Sequence, residues 1–379
     1  MPTNPTLKDK IVFSPHDVDL DRCPVRQNTG ADTYVLGTFN PGLARLPNGN
    51  LLLMIRVAKA LREPIRGKYF RMIHWSVGRG YGIIEMPTQS LDTTDARKYR
   101  FRSFSHAKVY GLTSSSWLLP VELSADGLQL RKIHYEHIIL PQNSQQEYGI
   151  EDARITQIDG RYYMTVCSVS AERHSTMLYS SEDGLRYTYL GMILDHQNKD
   201  MVLFPQQING KYMALTRPLG ELYFGYAESS PYLPGPSINL AQSPDLLHWK
   251  PVEKPFIRAK LDSRINLKLG GGAPPILTPD GWLVLFHGVE NNGKEGIYRT
   301  FWALLDRDNP GRILHLEESR PLLESNAAIM APFRDLFYLN DIVFTTGIIE
   351  HEDRYIVASG ELDLCCRITH IRKDFFKRQ

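Results

Sequence analysis

The chain has 379 residues, of which 42% are hydrophobic and 23% are charged, so it has the composition of a globular protein and enough length to bury a core. Its 44 basic and 42 acidic residues leave a formal charge of +2, which argues against a nucleic-acid-binding protein or one that binds an anionic membrane. A neutral small molecule such as a sugar fits this charge balance.

Neither the amino-terminal segment nor the cysteines carry a targeting or metal-binding signal. The first segment, MPTNPTLKDKIVFSPHDVD, lacks the apolar run of a secretory signal, and no stretch is apolar enough to cross a membrane. The four cysteines, Cys23, Cys167, Cys365 and Cys366, show neither metal-ligand spacing nor a disulfide framework. We therefore expect a cytoplasmic protein with reduced thiols and with no metal or organic cofactor.

One sequence unit recurs five times: a polar or proline-containing start, an apolar strand, a tight turn and a second strand. The copies begin at Asn40, Glu151, Leu203, Gly272 and Asn340. Four of the five turns are Asn-Gly or Asp-Gly. These pairs favour a type I′ hairpin turn because both of its central residues need positive φ. From the second turn onward the turns recur about every 50 to 70 residues, which suits one four-stranded blade with its loops.

These five copies predict an all-β fold, a single five-bladed β-propeller domain that covers residues 1–379. Helical periodicity is scarce, and the segment 326–336 predicts only a turn or two of helix. An insertion rich in Arg, Lys and Asp lies near residues 60–105, between the first and second copies. It offers a contact surface if the protein forms a homo-oligomer.

In a propeller the first strand of each blade lines the central channel, so the starts of these strands are candidate positions for a site at one channel mouth. The five starts are Asn40, Asp152, Pro205, Pro274 and Asp341. The segment Glu151-Asp152-Ala153-Arg154 is distinctive because two carboxylates and a cation precede an apolar strand. The same acids would also serve as caps of a turn through backbone N–H groups.

Further polar residues stand on or beside these strands where packing favours apolar ones: Arg56, Lys199, Asp200, Arg217, His287 and Asp363. A single charge at a strand end is often only a solvated tip. Their recurrence at related positions of a radial repeat instead predicts a polar pocket that binds sugar hydroxyls. Phosphate-loop, zinc-hydrolase, serine-hydrolase and Cys/His metal motifs are absent from the sequence, so carboxylate chemistry on a neutral substrate remains.

Several motifs occur in order between about residues 35 and 365: Asn40-Pro41 with Arg56, EDARITQIDGRYYMT, NKDMVLFPQQINGKYMALTRP, KLGGGAPPILTPDGWLVLFHGV, YRTFWALLD and NDIVFTTG. Together they resemble glycoside hydrolase family 130, which contains the β-mannoside phosphorylases and β-1,2-mannosidases. The resemblance implies a five-bladed propeller that cleaves β-mannosides with inversion, and Asp152 as the general acid. It also implies residues that bind the transferred mannose, namely Asn40, Arg56, Lys199 and Asp363, with Arg62 and Tyr298 as neighbours.

The chain departs from the phosphorylase pattern at positions that bear on the nucleophile. The phosphorylases typically read His-Arg-Pro where this chain has Thr216-Arg217-Pro218, and Lys199 replaces an arginine that forms a bidentate fork. Glu221 and Asp262 are carboxylates that would repel phosphate but suit a base that activates water. We therefore expect an inverting hydrolase of β-1,2-linked manno-oligosaccharides, with Asp152 as acid and Glu221 or Asp262 helping to activate water.

Two alternatives remain open. The first is a β-mannoside phosphorylase that uses inorganic phosphate as co-substrate, releases mannose 1-phosphate and can run in reverse to build mannosides. In that case Arg56, Arg62 and Arg217 are candidates for holding the phosphate. The second is a propeller that binds glycans without cleaving them, and the presence of Asp152 together with the mannose-binding residues argues against it.

Overall fold

The computed structural model describes residues 4–95, 97–102, 109–194, 196–220, 230–293 and 295–377, and these residues form an all-β structure. The strands, in chain order, are β1 Thr6–Phe13, β2 Thr33–Arg45, β3 Leu51–Leu61, β4 Ile65–Arg66, β5 Tyr69–Ser76, β6 Gly80–Pro87, β7 Leu91–Asp95, β8 Lys98–Phe101, β9 Val109–Leu112, β10 Ser114–Leu123, β11 Leu130–Ile133, β12 Gly149–Ile158, β13 Arg161–Val169, β14 His174–Ser181, β15 Thr188–Met192, β16 Asn198–Leu203, β17 Tyr212–Pro218, β18 Tyr232–Ser243, β19 Lys250–Lys260, β20 Lys268–Gly271, β21 Ile276–Thr278, β22 Gly281–Glu290, β23 Ile297–Leu305, β24 Ile313–Glu317, β25 Val343–His351, β26 Arg354–Glu361 and β27 Cys365–Arg372.

The α-helices of the described residues are short, α1 at Pro24–Thr29 and α2 at Ala327–Met330. The side chain of Asn326 caps α2 by accepting a hydrogen bond from the backbone N–H of Ala328. This confirms the short helix predicted within 326–336. No helix in the described part of the chain has the length and apolar character needed to cross a membrane.

The strands of the described residues form four large sheets and two small ones. The largest sheet has eight strands, and among the described residues its two halves are joined only by a parallel bridge between Ser116 and Gly149. We call these halves the first sheet (β2, β3, β10, β11) and the second sheet (β12–β15). The third sheet is β16–β19, the fourth is β20–β24, and the fifth combines β25–β27 with β1.

The amino-terminal strand completes the sheet formed by the carboxy-terminal strands. β1 pairs antiparallel with β27, from Thr6 opposite Ile371 to Phe13 opposite Cys366. The two ends of the described chain are therefore held together by a strand ladder, although they are far apart in sequence.

Adjacent sheets enclose separate apolar cores. Trp117 lies between the first and fifth sheets, Met164 between the first and second, and Leu178 between the second and third. Trp282 lies between the third and fourth sheets and Val357 between the fourth and fifth. The five cores therefore follow one another in a cycle that returns to the first sheet.

The first strands of the sheets lie next to one another, and we call them the inner strands (β2, β12, β16, β20 and β25). β2 contacts β12 and β25, β12 contacts β16, and β16 contacts β20, while β25 also contacts β22 and β23 of the fourth sheet. Residues at equivalent positions of different inner strands are thereby brought together.

The Asn-Gly and Asp-Gly pairs all lie at hairpin turns, but their backbone conformations differ. Asp159-Gly160 and Asn209-Gly210 have positive φ at both residues, as a type I′ turn requires. In Asn48-Gly49 and Asp280-Gly281 only the glycine has positive φ. The predicted turn type is therefore wrong at two of the four pairs.

The segment between β3 and β10 forms two small antiparallel sheets, β4-β5-β6 and β7-β8-β9. The first of them lies against the loop that precedes β12. The backbone N–H of Trp75 donates to the carbonyl of Glu147 at 2.8 Å, and His74 Nε2 lies 3.7 Å from the Glu147 carboxylate. The small sheet thus packs beside the start of the second sheet.

Candidate active site

Three inner strands are interrupted by a β-bulge at the same register against the second strand of their sheet. The bulged residues are Asn40, Asp152 and Asp200, with φ angles of 49°, 53° and 56°. Asn and Asp tolerate this left-handed region better than most other residues that carry a Cβ. A bulge also re-aims the side chain it carries. The repeat therefore places a polar side chain at the same point of three neighbouring strands.

This register corrects one of the predicted strand starts. The counterpart of Asn40 and Asp152 is Asp200, which lies within β16, whereas Pro205 follows the end of that strand. The sequence analysis placed Lys199 and Asp200 before an apolar strand, whereas both residues lie within β16.

Asp152 lies in a cluster of side chains from the first three sheets. Asn40 Nδ2 donates to Asp152 Oδ1 at 2.9 Å, and Arg56 Nη1 donates to the same oxygen at 3.0 Å. Arg56 Nη2 donates to Glu151 Oε1 at 2.7 Å, and Lys199 Nζ donates to Glu151 Oε2 at 2.9 Å. Asn40, Arg56 and Lys199 thus converge on two adjacent carboxylates.

The charges of this cluster compensate one another. Burial alone would raise the pKa of Glu151, but Arg56 and Lys199 outweigh it and lower that pKa to about 2. Burial opposes the charge of Arg56 as well, yet Glu151 and Asp152 hold its pKa above the ordinary value. The neighbouring His174 is neutral at pH 7, because Lys199 and burial lower its pKa to about 4.

Asp200 is the centre of a second cluster, which Arg154 connects to the first. Arg154 Nη1 donates to the backbone carbonyl of Asp152 at 2.7 Å, and its Nη2 donates to Asp200 Oδ1 at 3.1 Å. Arg217 Nη1 lies 2.5 Å from Asp200 Oδ2 and 3.2 Å from His287 Nε2. Against the effect of burial, Arg217 and Arg154 hold the pKa of Asp200 well below its usual range, while burial lowers that of His287 to about 3. Asp200 is therefore a permanent anion beside a neutral histidine.

Two glycines leave the space that these side chains fill. A Cβ on Gly270 would clash with the ring of His287 and lie 2.6 Å from Asp200 Oδ2. A Cβ on Gly360 would clash with Asn40 Oδ1 and lie 2.8 Å from the backbone N of Asn40. The Gly270 position explains part of the LGGG run, because β20 can approach Asp200 and His287 only without a side chain there.

Two further predicted residues lie next to these clusters. Asp363 has a φ of 50°. Burial raises the pKa of Asp363, and the charge of Arg56 offsets this rise only in part. The Tyr338 hydroxyl donates to the Asp363 carbonyl at 2.8 Å. The Tyr298 ring is buried with its centroid 6.1 Å from that of His287. Burial would raise the pKa of Tyr298, but Lys268, which donates to its hydroxyl at 2.6 Å, outweighs this and lowers it.

Two predicted binding residues remain at the periphery. Arg62 is 55% exposed at the end of β3, where its guanidinium lies 3.3 Å from Asp32. Asp341 has a φ of 57° but is exposed, and only its backbone carbonyl contacts Tyr298, at 3.1 Å. Neither side chain has a described contact with the carboxylates of the two clusters.

The two residues expected to activate water receive no support. Asp262 is exposed in the turn after β19 and lines a separate surface cavity together with Lys260, Arg264 and Glu290. The structure therefore does not bring Asp262 to Asp152. Glu221 lies outside the described residues.

Sequence reasoning placed Asp200 in the polar pocket and noted Arg154 beside Asp152, but it gave neither a specific role, and it missed His174. Arg154 and Asp200 are charges within strands and are only 2% and 4% exposed. A charged side chain is buried in this way only when it is paired. Charged residues within apolar runs, such as these two, were therefore a sequence signal for buried ion pairs. His174 begins β14, and it becomes a neighbour of Lys199 only because β14 packs against β16. No sequence signal marks that contact.

A family model described as beta-1,4-mannooligosaccharide phosphorylase matches residues 108–377 of this chain. The chain belongs to glycoside hydrolase family 130. It is accordingly an enzyme of the glycoside hydrolase and phosphorylase class. A beta-1,2-mannobiose phosphorylase of Listeria innocua is 30% identical over 338 residues, which cover 87% of each chain. A 1,2-beta-oligomannan phosphorylase of Thermoanaerobacter sp. strain X514 is 30% identical over 264 residues, or 68% of this chain and 78% of the relative.

Solved structures of family 130 members share the fold. The Listeria innocua beta-1,2-mannobiose phosphorylase, in complex with beta-1,2-mannobiose, has a TM-score of 0.79 and 28% identity, with 97% of this chain and 98% of that chain covered. A second solved structure is described by the words "The GH130 family of mannoside phosphorylases contains glycoside hydrolases that target beta-1,2 mannosidic linkages in Candida mannan". It has a TM-score of 0.67 and 18% identity, with 99% of this chain and 96% of that chain covered. At 18% identity the likeness shows the fold alone.

Proposed function

We propose that this protein is a β-mannoside phosphorylase that cleaves short β-1,2-linked mannosides with inorganic phosphate and releases mannose 1-phosphate. Support comes from the Listeria and Thermoanaerobacter relatives, both of which are named as phosphorylases of β-1,2-mannosides. The first of these matches 87% of each chain. These relatives favour the phosphorylase alternative over the hydrolase that the sequence departures led us to expect.

The observation that carries this proposal is the balance of charge around Asp152. Four cations of the two clusters, Arg56, Arg154, Lys199 and Arg217, face the anions Glu151 and Asp200 and the partly buried Asp363. When Asp152 carries a proton, these four cations oppose three carboxylates, so an incoming phosphate meets a net positive site. Cations and hydrogen-bond donors are the groups that bind phosphate strongly.

In this mechanism Asp152 is the general acid. The described hydrogen bonds from Asn40 and Arg56 both end on Oδ1, which orients the carboxyl group and leaves Oδ2 to carry the proton. The proton passes to the glycosidic oxygen as its bond to the anomeric carbon breaks. A phosphate oxygen bonds to that carbon from the opposite face, as inversion requires. The proton then lost by the phosphate ester restores Asp152.

Phosphate is already an anion, so this reaction needs no carboxylate to activate the nucleophile. Neither Asp262 nor Glu221 is required, in agreement with the exposed position of Asp262 away from Asp152. The transferred mannose is proposed to lie between Asn40 and Asp363. Asn40 Oδ1 is buried and has no hydrogen-bond partner among the described residues, so it is suited to accept from a sugar hydroxyl.

We also propose that the five sheets are the blades of a five-bladed β-propeller in one domain over residues 1–379, with the site at the mouth of the central channel. The cycle of cores between adjacent sheets supports this arrangement. The pairing of β1 with β27 also supports this arrangement, because strands from the two ends of the chain that pair in one sheet close a ring of sheets.

The decisive experiment incubates the protein with β-1,2-mannobiose, with and without inorganic phosphate, and identifies the products. We expect mannose 1-phosphate and mannose only when phosphate is present. Free mannose released at the same rate without phosphate would restore the hydrolase. Binding of the disaccharide without turnover in either condition would favour the non-catalytic glycan-binding alternative.

The Arg217→Lys variant tests the phosphate site directly. Lysine keeps the charge beside Asp200 but loses the planar fork, so the KM for phosphate is expected to rise about tenfold with a smaller change in the KM for mannobiose. Arg161→Lys is the matched control, because Arg161 pairs with Glu182 at the exposed surface. An unchanged KM for phosphate in Arg217→Lys would remove Arg217 from the proposed role.

A further inference from the structure

The turn that follows β11 carries a cluster of metal-ligating side chains outside the active site. His134, Glu136 and His137 each offer one ligand atom, and these atoms lie within 4.8 Å of one another. The backbone N–H of His134 donates to the Pro120 carbonyl at 2.9 Å, and that of His137 donates to the His134 carbonyl at 3.0 Å. The turn is therefore held against the first sheet.

The buried His134 ring has one nitrogen with a partner among the described residues and one without. His134 is only 4% exposed, and its Nε2 lies 3.0 Å from Glu122 Oε2. Asn48 and Asn50 donate to the other oxygen of Glu122, at 2.9 and 2.6 Å, so this carboxylate is fixed as an acceptor. Nε2 therefore donates to Glu122, and Nδ1 is the ring nitrogen that faces away from that carboxylate.

The other ring nitrogen of His134 faces the Glu136 carboxylate. His134 Nδ1 is buried, has no hydrogen-bond partner by distance and angle among the described residues, and lies 3.4 Å from Glu136 Oε1. For metal–ligand bonds of about 2.0–2.1 Å, two ligand atoms of a tetrahedral site are about 3.4 Å apart.

We propose that His134 Nδ1, a Glu136 carboxylate oxygen and His137 bind a divalent transition-metal ion of the Zn²⁺ type. Two imidazoles and a carboxylate form a donor set that Zn²⁺ favours. Glu122 has the position of the carboxylate that orients a metal-bound histidine through its other ring nitrogen. Glu136 is exposed and His137 half-buried, so both side chains have the freedom to close the remaining distance.

The site is structural rather than part of the reaction. Ser116, which accepts from Arg56 in the Asp152 cluster, and Glu122 lie on the same strand β10, about 20 Å apart at about 3.4 Å per residue. The turn also contacts the amino-terminal segment, because the Tyr135 hydroxyl accepts from the backbone N–H of Asp19 at 2.7 Å. A bound ion would tie this segment to the edge of the first sheet.

Lys132 is the competitor for the ion. Its ammonium donates to Glu136 Oε1 at 3.0 Å, and it is 57% exposed. A metal ion must displace this ammonium from the carboxylate. Replacement of Lys132 by glutamine is therefore expected to tighten metal binding several-fold.

The test titrates the metal-free full-length protein with ZnCl₂ by calorimetry, and with Co²⁺ by its visible absorption, which reports a tetrahedral site with nitrogen and oxygen ligands. We expect one ion per chain and a Tm that rises with Zn²⁺. His137→Gln and Glu136→Gln, both substitutions at accessible side chains, should each weaken binding at least tenfold and remove the rise in Tm. His248→Gln is the control, because His248 forms an exposed pair with Asp245 at 2.7 Å.

Binding weakened in both variants and retained in the control supports the site. The absence of Zn²⁺ binding would overturn the proposal. Binding that persists undiminished in His137→Gln and Glu136→Gln would overturn it as well, because the ion would then lie elsewhere.

Discussion

Asp152 and Asp200 occupy the same bulge of neighbouring inner strands, yet their surroundings differ. Both have left-handed backbone conformations, with φ of 53° and 56°. Asp152 accepts from one amide and one guanidinium on a single oxygen, and its side chain is 8% exposed. Asp200 lies between Arg154 and Arg217 beside His287, and its side chain is 2% exposed.

The same β-bulge therefore holds two carboxylates whose electrostatic surroundings differ. Two arginines keep Asp200 ionised, and in return Asp200 holds both guanidinium groups in place. Asp152 keeps an oxygen that no described hydrogen bond occupies, at the edge of the same cationic region. The proposed acid is therefore the member of the pair that retains access, and the other positions the cations.

The largest effect is expected for Asp152→Asn. The amide tolerates the left-handed backbone but cannot donate a proton to a leaving sugar as an acid, so turnover of β-1,2-mannobiose should fall about a thousandfold or more. The Tm should change little. Asp159→Asn is the matched control, because Asp159 has a φ of 49° at the exposed far end of the same strand. Turnover within a few-fold of wild type in Asp152→Asn would show that Asp152 is not the acid.

The equivalent change in the second cluster, Asp200→Asn, should act on stability. It leaves Arg154 and Arg217 without their shared counter-charge, and loss of one partner of a buried ion pair costs about 3–5 kcal/mol. Chemical denaturation at pH 7 measures this free energy of unfolding. A stability equal to that of Asp152→Asn would contradict the distinction between the two carboxylates.

Low pH should reduce the free energy of unfolding through protonation of Glu151 in the Asp152 cluster. Its pKa is lowered to about 2 in the folded protein from an ordinary value of 4.5, so its ionisation stabilises the fold by about 3 kcal/mol above pH 4.5. That contribution is lost as pH falls from about 4.5 to 2. Glu151→Gln should therefore have a lower free energy of unfolding than wild type at pH 7, and this difference should shrink towards pH 3.

The exposed Glu182→Gln variant, which removes the partner of Arg161, provides the comparison for this pH series. Its free energy of unfolding should stay within about 1 kcal/mol of wild type at each pH. A gap between Glu151→Gln and wild type that does not depend on pH would contradict the assigned cause.

The smallest effect is expected for Asp262→Asn. Asp262 is exposed in a cavity that shares no described residue with the two clusters, so turnover with phosphate should remain within twofold of wild type. A large loss of turnover with mannobiose would return Asp262 to the role of a base that activates water.

Hairpin turns and apolar runs predicted the all-β class because they are local signals, and the ordered motifs resembled the family to which the chain belongs. The sequence also placed Asn40, Arg56, Asp152 and Lys199 in one site, and the structure brings these four side chains together. The expectation of reduced thiols agrees with four buried, free cysteines. The sequence shows no metal motif at His134, Glu136 and His137, the residues of the proposed metal site, because the orientation of His134 Nδ1 depends on Glu122 of β10.

Other features depend on contacts between distant parts of the chain. The completion of the fifth sheet by β1 requires a ladder between residues more than 350 positions apart, which no local pattern encodes. The positions of Asp200 and His174 beside Lys199 likewise follow from how the second and third sheets pack. The sequence by itself determined which residue types occupy each bulge. Tertiary packing alone decided which charged side chains face them, because Coulomb and hydrogen-bond energies depend on distances that only the folded chain sets.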